Sequence, residues 1–319
     1  MNETNSPSDS NSFSQQPWAD RNGFPGWIMG VGWAIGAFAL FQIVAAIVSI
    51  VILVSIGRLD FSDFDANVIT QNLDVLFISN TFGQIVFLGL LTLAFTRLSA
   101  PKGQVFSFLR MQSNDSTMKN VGLAFVLLIV IQPIIYYLSW LNLQFPFSES
   151  YMEFERAQLE LIENYLRGDH LVLLTIFHIG IVPSVCEEIL FRGYILRNFE
   201  RSMNVWVAIV LSGLIFGIFH IRLTQFIPLA LLGMLLAWMT IQTRSLWPAV
   251  VAHFVNNGGS VTLAYYFPEV VFNEQLQGAM PPLYLVGLSV ILTYFVIVTI
   301  QRVNSQPGGG GNYVQGAET

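Results

Sequence analysis

An all-α bundle of about eight membrane-spanning helices is the fold class this sequence predicts, and three observations predict it. Of 319 residues, 54% are hydrophobic and only 11% are charged, with a mean hydropathy of +0.59, whereas a soluble domain carries about 25% charged residues. The apolar residues gather in eight runs of the length that a hydrocarbon layer ~30 Å thick demands of a helix rising ~1.5 Å per residue. Most charges fall in the connections between these runs. A chain with so little polar surface has lipid as its solvent, so the bilayer is its first expected partner.

The runs lie near 27–56, 75–96, 120–141, 171–198, 204–220, 225–243, 246–267 and 281–301. The first is long enough to tilt or to project beyond the bilayer. Only Ile221–Gln225 and Thr243–Leu246 separate the fifth, sixth and seventh runs, which makes those helices antiparallel neighbours. No repeat and no second domain interrupts the series. The expected organisation is a disordered cytoplasmic tail over 1–25, rich in Ser, Asn, Gln and Pro, then an eight-helix membrane domain over 26–303, and a disordered Gly-rich tail over 304–319.

An even number of spans puts both ends on one side. With cytoplasmic tails, the inner segments hold Arg21, Arg97, Lys102, Arg110, Lys119, Arg197, Arg201, Arg244 and Arg302, against Arg58, Arg156, Arg167 and Arg222 outside. This asymmetry satisfies the positive-inside rule. A bacterial inner membrane with both termini cytoplasmic is the expected location. The longest outer loop, 142–170, contains a segment, 152–166, that spaces Leu159, Ile162 and Leu166 at helical intervals beside Glu153, Glu155, Glu160 and Glu163. That pattern predicts an amphipathic helix at the outer membrane surface.

Composition also excludes function classes. A net charge of −6 without a basic patch speaks against nucleic acid as a partner. The single cysteine, Cys186, rules out an intrachain disulfide framework. No basic segment followed by an early apolar stretch marks a cleavable signal peptide.

Ionisable residues inside spans are costly, by roughly 3 kcal/mol or more at mid-bilayer, and are functional candidates by default. The fourth run contains Glu187, Glu188 and Arg192. Glu188 and Arg192, four residues apart, share a helix face and can neutralise each other. Glu187 points about 100° away and lacks a local partner. An unpaired carboxylate in an apolar setting takes up a proton, binds a metal or meets a cation from another helix. Two further runs supply polar groups: the fifth ends in Phe216-Gly-Ile-Phe-His220, and the seventh carries His253 and Asn257 on one face. A carboxylate, two imidazoles and an amide can build a water-activating site, with the imidazoles holding Zn²⁺ or stabilising an oxyanion. His178 falls on roughly the opposite face of the fourth run from Glu187, subject to a kink at Pro183, and His170 falls at the outer interface; both read as structural, and Cys186 as packing.

Glu187-Glu188-x-x-x-Arg192, Phe216-x-x-x-His220 and His253-x-x-x-Asn257 resemble, in order and spacing, the three signature motifs of the CPBP family. This family comprises the CAAX proteases and bacteriocin-processing proteins, also called the Abi family, of intramembrane proteases. The resemblance covers about 171–267 at motif level. It implies hydrolysis of a peptide bond in a membrane-associated or prenylated substrate, in the manner of a type II CAAX prenyl endopeptidase. It further implies Glu187 as general base, Glu188 and Arg192 as supports that tune it, His220 as a water- or metal-positioning group, and His253 and Asn257 as oxyanion donors. Phe216 would shape the cavity. Glu187, His220 and His253 match in kind the two-His, one-Glu set of a catalytic zinc, so a metalloprotease with Zn²⁺ is one expectation, although the HExxH spacing of soluble zincins is absent. Competing readings of the same buried acids are a proton- or ion-coupled transporter and a non-catalytic bacteriocin-immunity or scaffold protein.

Overall fold

In the computed structural model, residues 16–60, 68, 71–168, 171–273 and 278–305 are described. Ten helices carry the architecture among them: α1 Gly26–Ser55, α2 Leu73–Leu98, α3 Thr117–Val130, α4 Gln132–Asn142, α5 Glu149–Arg167, α6 Val172–Glu200, α7 Val205–Phe219, α8 Leu223–Thr243, α9 Trp247–Tyr266 and α10 Leu283–Ser305. The described residues contain no strand. The all-α membrane fold is as expected.

On length and apolarity, α1, α2, α6, α8 and α10 can each cross a membrane, and α3 with α4 makes a sixth span if that pair, bent by 47°, counts as one. The expected count of eight is therefore not reached among the described residues, although a helix stands at every predicted run. Helix α7 has 15 residues, about 22 Å at ~1.5 Å per residue. Helix α9 dilutes its apolar residues with His253, Asn256, Asn257 and Ser260. The site's own polar groups thus weaken the signal that a span gives.

The helix ends sort into two groups. At one end, Asp20 pairs with Arg201, Arg110 with Glu200 at 2.8 Å, the Asn114 amide donates to Thr243 O at 3.0 Å, and Asn120 and Asn304 bond each other reciprocally at 3.0 Å. Those contacts involve residues near both ends of the described chain, with Arg110 and Arg201 from the basic residues assigned above to the inner side. Residues 18–21 of the expected 1–25 tail form a helical turn whose Ala19 is buried. Residues 1–15 and 306–319, and His170, lie outside the described residues.

Helix α6 runs through the middle, touching α1, α2 and α9. Ile189, Leu190, Phe191, Tyr194, Ile195 and Phe199 on it form the centre of the main apolar cluster. Helices α7 and α8 meet backbone to backbone: a Cβ on Gly233 would stand 2.9 Å from Gly213 Cα, and one on Gly213 would stand 2.7 Å from Ala230 O. Small residues allow this approach, which drives helix association where lipid supplies no hydrophobic contrast. Gly233→Val is expected to destabilise the fold by about 1–3 kcal/mol, the cost of overpacking, read as a lower melting temperature in detergent.

Helix α5 is the expected amphipathic helix, longer than predicted, but it does not lie free on a lipid surface. Leu166 packs on Val261 and Ala264 of α9, and Glu155, grouped by sequence with the solvated acids, is only 6% exposed.

Candidate active site

Helix α6 presents its acids through an irregular backbone. Segments Ile176–Ile181 and Ile189–Ile195 are wound as π-helix on either side of Val182–Glu188. Such turns shift register by a fraction of a turn and cluster at functional sites. Pro183 has no N–H to return to the Ile179 carbonyl four residues back. That carbonyl instead accepts the Asn257 amide of α9 at 3.3 Å. The reach is possible because α6 and α9 touch at glycines here, a Cβ on Gly180 falling 3.2 Å from Gly258 Cα.

Glu188 and Arg192, both fully buried, form an ion pair at 2.7 Å, as their spacing predicts. The pair is not closed on itself. Glu188 Oε1 also accepts from His253 Nδ1 at 2.8 Å, and Arg192 Nη2 donates to Gly233 O on α8 at 3.2 Å. The guanidinium lies over the Phe216 ring, 4.3 Å from its centroid. Phe216 packs in turn against His220 at 4.6 Å and, edge to face, against His253 at 5.7 Å. Phe216 therefore supports three of the polar groups at once.

Hydrogen-bond chemistry fixes the tautomers. An amide nitrogen can only donate, so Asn257 Nδ2 at 3.2 Å makes His253 Nε2 the acceptor and leaves the ring proton on Nδ1, facing Glu188. Asn256, which the sequence reading passed over, donates to Asn257 Oδ1 at 3.1 Å and so sets which way that amide points. His220 Nδ1 lies 2.8 Å from Phe216 O, hence donates to it and leaves Nε2 bare. His220 lies within electrostatic range of Glu187, His253 and Arg192.

Glu187 is the most accessible of the acids, its side chain 16% exposed against 0% for Glu188. Its Oε2 stands 4.0 Å from His253 Nε2 and makes no hydrogen bond. The structure thus gathers Glu187, Glu188, Arg192, His253 and Asn257 directly, with His220 joined through Phe216. His178 lies apart, buried, its Nδ1 2.6 Å from Thr81 Oγ1. Cys186 is buried against the α2 backbone, 3.2 Å from where a Gly89 Cβ would be. Both match the structural roles expected of them.

Among the described residues, no three His, Cys, Asp or Glu side chains form a group able to hold a metal ion. One reason is visible: the His253 Nε2 lone pair is spent on Asn257 and its Nδ1–H on Glu188. With His253 Nε2 turned to Asn257, the Glu187, His220 and His253 side chains expected for Zn²⁺ form no such group among the described residues, and the chemistry proposed for the site uses no metal.

Residues 169–259 match the family model for "Type II CAAX prenyl endopeptidase Rce1-like". Over 86 residues, 27% of this chain, the sequence is 31% identical to the protein named "Putative membrane peptidase YdiL" of Bacillus subtilis (strain 168). That match spans about a third of the relative's length, 35%. No solved structure matches significantly. The matched stretch begins before α6 and ends just beyond Asn257, enclosing every candidate residue. Residues 169–259, with the three motifs they carry, are similar to the Rce1-like type II CAAX prenyl endopeptidases.

Proposed function

We propose that this protein is an intramembrane endopeptidase that hydrolyses a peptide bond in a membrane-associated or prenylated substrate, using water activated by Glu187. One observation carries the reading: a partly accessible carboxylate free of hydrogen bonds stands 4.0 Å from an imidazole that a buried carboxylate and an amide hold in place. A merely structural acid in a membrane would be paired or satisfied.

The chemistry follows from the donors and acceptors available. Glu187 takes a proton from water, and the oxygen attacks the carbonyl carbon, whose π pair moves to oxygen. His220 Nε2 accepts the water's other hydrogen and orients it. The oxyanion takes the place of Ile179 O on Asn257 Nδ2. Collapse breaks the C–N bond as Glu187 returns its proton to the leaving nitrogen. His253, clamped between Glu188 and Asn257, keeps that donor aimed. Arg192 holds Glu188 for this task.

The test is reconstitution in proteoliposomes with a membrane-anchored peptide, following cleavage by mass spectrometry. Cleavage supports the reading; substrate-driven flux without cleavage would replace it with the transporter. The account also predicts that cleavage persists in EDTA with sub-stoichiometric metal, by elemental analysis. One tightly held zinc, lost together with activity, would restore the metalloprotease.

A further inference from the structure

Helix α7 ends at His220, which few hydrogen bonds hold. The His220 N–H reaches Gly217 O at 3.4 Å, a long bond, and the ring is tied only to its own helix through Phe216 O. The next residue, Ile221, adopts the left-handed conformation at φ 53°, which a β-branched residue disfavours. A turn of this kind persists only where its surroundings over-determine it.

Those surroundings come from α4 and α5, outside the stretch that matches the family model. Asn142, at the end of α4, donates to Leu223 O at 2.9 Å and accepts Ile227 N–H at 2.8 Å. On α5, Tyr151 and Glu155 are one turn apart. The Tyr151 hydroxyl donates to Glu155 Oε1 at 2.5 Å, accepts Leu223 N–H at 2.7 Å and lies 3.3 Å from Ile221 O. Glu155 Oε1 also accepts Thr224 N–H at 3.3 Å, and its Oε2 accepts the Thr224 hydroxyl. Burial, and next the bond to Glu155, push the Tyr151 phenol above its ordinary pKa, keeping it a donor. A buried carboxylate with three donors aimed at it, on a helix otherwise studded with exposed acids, is built for one place.

We propose that Tyr151 and Glu155 are positioning residues of the hydrolytic site, clamping the turn 221–224 so that His220 is held at the end of α7. The proposal rests on the hydrolase reading above. Through the clamp, α5 is coupled to the water-orienting group rather than merely covering it. A misplacement of about 1 Å costs about 100-fold in rate, so loosening the turn acts on turnover.

Tyr151→Phe keeps the ring and removes the hydroxyl; Glu155→Ala removes the carboxylate; Glu155→Gln keeps its shape and one acceptor. In the proteoliposome assay, the first two are expected to lower kcat about 10- to 100-fold with KM near wild type, Tyr151→Phe at a melting temperature near wild type, and Glu155→Gln to recover most of the loss. In ¹⁵N-histidine spectra of the full chain in micelles, both should shift the His220 ring signals and leave His178 in place. Tyr151→Phe carries the test if Glu155→Ala does not fold. Wild-type kcat in Tyr151→Phe with unmoved His220 signals overturns the clamp, and so does a Glu155→Gln no better than Glu155→Ala. Absence of cleavage by the wild type overturns the hydrolase reading instead, and cleavage that survives in Glu187→Gln overturns the role of Glu187, while the His220 spectra still decide the clamp.

Discussion

Arg192→Met is expected to lower stability by about 3–5 kcal/mol, the cost of stranding a buried charge by removing its partner. Arg192 and Glu188 are both fully buried, so water cannot screen or replace the lost guanidinium. The guanidinium also bonds Gly233 O and covers the Phe216 ring, which ties α6 to α8 and α7. Chemical denaturation in mild detergent measures the loss. The double variant Glu188→Gln/Arg192→Met removes both charges and keeps an acceptor for His253 Nδ1, so it should be more stable than Arg192→Met alone. Losses that simply add would show that the two residues do not act as a pair.

Glu187→Gln is expected to lower kcat by about 10²–10⁴-fold, the range attributed to a positioned general base, with a folded protein of unchanged melting temperature. The amide has the shape of the carboxylate but cannot take a proton from water. Because Glu187 makes no hydrogen bond in the structure, removing its charge breaks no network. Here the expectation differs in kind from that for Glu188, where the same change removes the acceptor charge of two bonds. Steady-state cleavage of an anchored peptide separates the cases: Glu187→Gln should lose kcat at constant KM, whereas Glu188→Gln should also lose stability.

Much of this was legible in the sequence, for identifiable reasons. Contacts four apart on one helix, such as Glu188 with Arg192 and His253 with Asn257, follow from the helical period alone. Helix positions followed from hydropathy, and the failure to reach eight spans has the same source, since α7 is short and α9 carries the polar residues of the site. Contacts between helices were not legible. Glu188 was read as a partner for Arg192 only, yet it also holds His253 at 2.8 Å, a contact set by helix rotation and by the π-wound turns of α6. The Pro183 signal was present and was read as a kink; its second consequence, a free Ile179 carbonyl for Asn257, required α9 to be in place. Glu155 was misassigned because four similar acids share its helix, and only a tertiary contact tells a buried one from solvated ones.

The most direct test of the central claim is to incubate the purified protein in lipid nanodiscs with a membrane-anchored peptide in H₂¹⁸O and weigh the products. The account predicts a single cut whose new carboxyl carries ¹⁸O with the wild type and none with Glu187→Gln. An intact peptide with the wild type, or equal cleavage by the two proteins, would contradict it.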